Sequence, residues 1–169
     1  FLLRGKPMAN PDAPNGFTPI RSDSGQSAVV WYPVAASMTI AKGDMLILAS
    51  GLVEIAEATS PALLGVAATA IVTGGSVTRA DKVGVYVGTA GQVFEGQCSG
   101  DSVATSVGAQ ADIEGATGAM EVNENASVED VICIVGLRSD EDPKLTIGTN
   151  DRVRFVIIRS QYYPVLAVI

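Results

Sequence analysis

Histidine is missing from all 169 residues of this chain. Its absence removes the commonest general base, the commonest transition-metal ligand and the usual switch near neutral pH. It also excludes Ser-His-Asp and Cys-His catalysis, and no Ser-Lys pair has a recognisable spacing. Charge is scarce, with 17% Asp, Glu, Lys and Arg and a net charge of −7. An acidic chain without clustered Lys and Arg makes a poor nucleic-acid surface, so no nucleic-acid partner is expected. Cys98 and Cys133 form no CxxC pair and are expected as free, buried thiols. No apolar run reaches the ~18 residues of a membrane span, so no membrane partner is expected. Phe1–Pro7 is too short and too polar to read as a signal peptide. Neither GxxxxGK[ST] nor GxGxxG occurs, so the glycines are expected to form turns and not to cradle phosphate.

What remains is apolar and rich in glycine. Hydrophobic residues make up 47% of the chain and glycine accounts for 18 positions. That composition argues against disorder and for one substantial core. Helical periodicity is nearly absent. Short apolar runs alternate with turn signals at intervals of about eight to twelve residues, the pattern of an all-β barrel or sandwich. The runs are Ser27–Ala36 with Pro33 inside it, Met38–Ile40, Met45–Ala49, Leu52–Ala56, Leu63–Val72, Val83–Val87, Val93–Cys98, Ala109–Ile113, Ala119–Val122 and Val131–Leu137. A long terminal strand starts at Arg152 and is expected to run towards Val168, and Ser127–Asp130 is the nearest thing to a helical turn. The expectation is a single β domain over residues 27–169. A division into a barrel at 27–98 and a second β portion at 99–169 stays open.

Met8–Gly25 (MANPDAPNGFTPIRSDSG) is different. Its three prolines push the backbone towards extended conformations. If extended throughout, it would reach about 50 Å. Residues 1–26 are therefore expected to form an extended N-terminal arm that touches another chain more than its own domain. Pro14, Phe17, Pro19 and Ile20 are its candidate contacts, with Phe17 plugging a partner's pocket. Trp31 is either core or an interface anchor, since Trp dominates binding hot spots.

The arm segment MANPDAPNGFTPI precedes TIAKGDMLILASGLVEIA, LLGVAATAI, GGSV and KVGVYVGTAGQVFEG, and VGAQADIEGATGAMEVNENAS follows. This grammar resembles the tailed-phage head decoration proteins, the structural cement family, over most of Met8–Tyr163. The resemblance implies a β-barrel behind a stapling arm. It further implies a non-enzymatic virion protein on the outer capsid surface, with the major capsid protein and copies of itself as partners and no cofactor. A carbohydrate- or receptor-binding β-module is the alternative, although aromatics are only 5% of the chain and such a module needs an exposed aromatic platform.

Other candidate chemistry has a plainer reading. Asp112 and Glu114 share a strand face, where paired carboxylates compete with a solvated surface. Asp140, Glu141, Asp142 and Asp151 lie in one polar connection, but without the ligand order of an EF-hand. Lys42-Gly43-Asp44 reads as a turn before it reads as an adhesion loop. Asn125-Ala126-Ser127 fits a glycosylation acceptor.

Overall fold

The computed structural model of the chain describes residues 9–23, 25, 27–126, 128–142 and 144–162. Strands follow one another almost without interruption. They are β1 (Thr18–Arg21), β2 (Val29–Pro33), β3 (Thr39–Ile40), β4 (Met45–Ala49), β5 (Leu52–Ile55), β6 (Gly65–Ala67) and β7 (Ile71–Val72). There follow β8 (Lys82–Val87), β9 (Val93–Gln97), β10 (Gln110–Glu114), β11 (Glu121–Asn123), β12 (Ile132–Leu137) and β13 (Arg152–Ile157). Strands and isolated bridges hold 41% of the described residues, and the helical turns among those residues are two short 3-10 turns, Ala104–Ser106 and Arg138–Asp140. The fold is all-β, as the turn spacing predicts.

Five strands form an antiparallel sheet in the order β2-β8-β6-β4-β5. Its two edges meet where Val34 bridges Val53 in parallel and the Ala35 N–H donates to the Val53 carbonyl at 3.0 Å. The sheet thereby curls into a small barrel. Alternation along the strands sends Leu46, Val53, Ala67, Val83, Val85 and Val87 inward, and Ile40 joins them from the β3–β7 ribbon. Met45 and Val66, one residue out of phase, point the other way.

The second half repeats this construction. Its strands run β9-β13-β12-β10-β11, and Cys98 bridges Val122 in parallel while the Ser99 N–H donates to the Val122 carbonyl at 3.0 Å. The register matches as well as the order. Trp31 faces Gly84 as Glu95 faces Arg154, Met45 faces Val66 as Gln110 faces Cys133, and Leu48 faces Val53 as Ile113 faces Val122. The Val34 N–H donates to Asp81 at 2.9 Å as the Cys98 N–H donates to Asp151 at 2.8 Å. The Gly43 N–H donates to Ala67 at 2.9 Å as the Gly108 N–H donates to Ile134 at 2.7 Å. Both of those glycines sit at positive φ, 96° and 89°, which a side chain would strain. The chain is thus two copies of one five-stranded barrel, and Val93–Cys98 opens the second copy instead of closing the first.

The two interiors are not equivalent. The second barrel's core, around Phe94, Phe155, Ile134 and Val122, continues into a seam formed by Met45, Ala56, Leu63 and Val66 from the outside of the first. The positions matching Met45 and Val66 in the second barrel are Gln110, exposed, and Cys133, half-buried. One apolar outer face suffices to join the barrels.

Three local expectations are revised. Leu63–Val72 is two strands, because β6 pairs with β4 and β8 while β7 leaves to pair with β3. The last strand stops at Ile157, after which Ser160 bridges Leu63, and the continuation to Val168 lies outside the described residues. Ser127 also lies outside them, and Val128–Asp130 carry no helix, with Asp130 at φ 52°.

Candidate functional site

The arm is held by its own domain from residue 10 onward. The Asn10 amide donates to the Thr146 and Thr149 carbonyls at 2.7 and 3.0 Å, and the Thr146 N–H returns to its Oδ1 at 3.1 Å. The Ala13 N–H donates to Gln97 Oε1 at 2.9 Å. The Gln97 amide nitrogen donates onward to Asp12 at 3.0 Å and Glu121 at 2.8 Å. The Phe17 N–H donates to the Gly43 carbonyl of the first barrel at 2.8 Å. Strand β1 then pairs antiparallel with β9 of the second, Thr18 facing Glu95 and Pro19 facing Phe94. The arm therefore stitches the two barrels of one chain together.

Phe17 corrects an expectation. Its side chain is 2% exposed and lies within the chain's own core, edge-on to Phe155 with ring centroids 5.2 Å apart. Gly96 makes the room: a Cβ there would stand 2.5 Å from the Phe17 ring. The matching position in the first barrel is Tyr32, which packs its own ring against that barrel's core. The second barrel borrows from the arm the aromatic ring that the first carries on its strand. Pro14 and Pro19 are half-buried, and Ile20 is exposed.

Trp31 is 57% exposed on β2, an edge strand, with Val29 exposed beside it. Gly84 opposite Trp31 and Ala68 nearby leave the indole without a tall neighbour. Val29 pairs with Tyr86, and Tyr86 with Pro19, Thr18 and Phe17 lines a cleft of about 140 Å³ between the arm and the first barrel. Pro19, Tyr86, Val29 and Trp31 so form an apolar strip, and two sequence-predicted contacts lie on it.

Five of the acidic candidates are occupied internally: Asp44, Asp112, Glu114, Glu141 and Asp151. Asp112 is buried and accepts from the backbone N–H groups of Val128, Glu129 and Asp130 at 2.9, 3.1 and 2.7 Å. Glu114 accepts from the Asn123 amide at 2.7 Å. Asp151 is buried and accepts from the Ser102 and Ser139 hydroxyls at 2.8 and 2.7 Å, while Glu141 pairs with Arg154 and Arg138. Asp44 of Lys42-Gly43-Asp44 is buried and accepts from the N–H groups of Ala41 at 2.8 Å and Gly118 at 2.7 Å. That tripeptide is an internal turn. Among the described residues no cluster of three or more Cys, Asp and Glu is arranged to hold a metal.

Both cysteines are free. Burial pushes the Cys98 thiol far above its ordinary range, and Glu124, Asp151 and Glu121 add to the shift. Burial likewise raises the Glu121 carboxyl, helped by Asp12, Glu114 and Glu124 and opposed by the Gln97 hydrogen bond. Gln97 and Gly96 are the functional residues that sequence reasoning passes over. A glycine inside a strand is the one available signal, since it marks a close approach. Comparison with protein-family models, curated proteins and solved structures finds no match for this chain.

Proposed function

We propose that this chain is a non-enzymatic attachment protein that binds the major capsid protein on the outer surface of an assembled phage capsid and stabilises that shell by bridging neighbouring subunits. The reading rests on the family resemblance of the sequence. One structural observation supports it: the apolar strip of Trp31, Val29, Tyr86 and Pro19 borders a strand edge, on a chain whose buried carboxylates are engaged by its own donors. Docking of such a strip needs no chemistry. A ligand that binds only the assembled shell stabilises it by mass action, and many copies multiply the effect. The arm is held within the chain, so the capsid-facing role falls on the outer side-chain face of this strip and the exposed Ile20, and not on the backbone edge of β2. Purified particles lacking the protein should bind it in many copies, and electron microscopy should place it outside the shell. Trp31→Ala should lower occupancy. Binding to glycans or a host receptor without binding to shells would favour the receptor module instead.

A further inference from the structure

The repeated barrel leaves one place filled in the second copy and open in the first. On the edge of β9, β1 covers Val93–Glu95 and β11 takes over at Cys98. On the edge of β2, β5 takes over at Val34, and no strand among the described residues pairs with the matching stretch Val29–Trp31. The direction of its polar groups follows from Gly84. The Gly84 N–H donates to Thr69 Oγ1 at 3.1 Å and its carbonyl accepts from the Ala68 N–H at 2.7 Å, both on the side away from β2. The Trp31–Gly84 pair is therefore a non-hydrogen-bonded pair of the ladder. The N–H and carbonyl of Trp31 point off the sheet, and the two-residue period puts those of Val29 beside them. Pro33, without an N–H, ends the run.

We propose that this edge pairs with the same edge of a second copy, β2 antiparallel to β2 about a twofold axis at Val30. That register sets Val29 opposite the partner's Trp31, so each copy satisfies both outward N–H groups and both outward carbonyls. It also lays an indole against a β-branched side chain, a favourable cross-strand combination. Charge selects the same place. The chain carries −7, yet no charged residue lies between Asp23 and Lys42. Two copies meet there without opposing like charges. The edge at β5 carries Glu54, and β1 carries Pro19 and Arg21, the usual guards against edge pairing. A contact of one short strand from each copy belongs among weak associations, so a dissociation constant on the order of 100 µM is expected. Crowding of copies on a shared scaffold would raise the effective concentration well above that.

The inference concerns the isolated chain and does not depend on capsid binding, so either can fail alone. Sedimentation velocity from about 1 µM to about 1 mM brackets the expected constant. Trp31 is the only tryptophan, which makes its fluorescence a second readout. The wild-type chain should pass from monomer to dimer, with its emission moving to shorter wavelength at the same midpoint. Val29→Lys, which sets like charges across the axis, and Trp31→Pro, which deletes an outward N–H, should each stay monomeric with an unchanged circular dichroism spectrum. A wild type that remains monomeric, assemblies larger than dimers, unshifted emission, or a folded Val29→Lys that associates like the wild type would each overturn the proposal.

Discussion

Phe17 and Gly96 act as one residue split between two places in the chain. Removing the ring leaves a hole beside Phe155 that the barrel closes only in part. Phe17→Ala should therefore cost ~3–5 kcal/mol in chemical denaturation. Gly96→Ala drives a methyl group into the same ring and should cost ~1–3 kcal/mol by overpacking. Trp31→Ala, exposed on its strand, should change stability by less than ~0.5 kcal/mol. If Phe17→Ala were as mild as Trp31→Ala, the arm would not belong to the core. The cysteines separate in the same manner. Cys98 is buried with a raised thiol, whereas Cys133 is half-buried, so a thiol reagent should label Cys133 first and Cys98 only on unfolding.

At the scale of elements, the arm is latched by Gln97, whose one amide serves both Asp12 and Glu121. Glu121 holds its proton more tightly in the folded chain than its ordinary 4.5. Its contribution to stability is present in full below 4.5 and is lost as pH rises through the raised value. Glu121→Gln keeps an acceptor for Gln97 and removes that loss. The variant and the wild type should melt together at pH 4, and the variant should melt higher at pH 7. Parallel melting curves across that range would show that the carboxylate is not destabilised by its neighbours. The strands themselves were legible where a short apolar run is bounded by turn residues on both sides, as in Met45–Ala49 and Val83–Val87. They were not legible at Leu63–Val72, where small residues suit two sheets equally and only the partners divide the run.

For the whole molecule, the seam of Met45, Ala56, Leu63 and Val66 runs into the second barrel's core without a break. The two barrels should therefore unfold as one unit, giving a single calorimetric transition whose van't Hoff and calorimetric enthalpies agree. Two resolved transitions would mean that the seam and the arm couple the halves only weakly. Chelation gives a further check on the acidic connection at Asp140–Asp151, where serine hydroxyls and arginines already serve Asp151 and Glu141. EDTA should leave the melting temperature unchanged, and a drop of several degrees would reveal an ion at that place.

Local pattern settled what depends on neighbours in the chain: an all-β fold, its turns, free thiols and a chain without histidine chemistry. Tertiary structure decided what depends on partners far away in sequence. Val34 meets Val53 and Cys98 meets Val122 across loops that leave no periodic trace, so the closure of each barrel was invisible. The repeat was hidden for a related reason. Matching positions carry different side chains, such as Met45 for Gln110, because one barrel faces the seam where the other faces water. Phe17 had the composition of a plug, and the sequence was right about that much. Which pocket it fills was set by Gly96, whose missing side chain matters only once β9 lies beneath the arm.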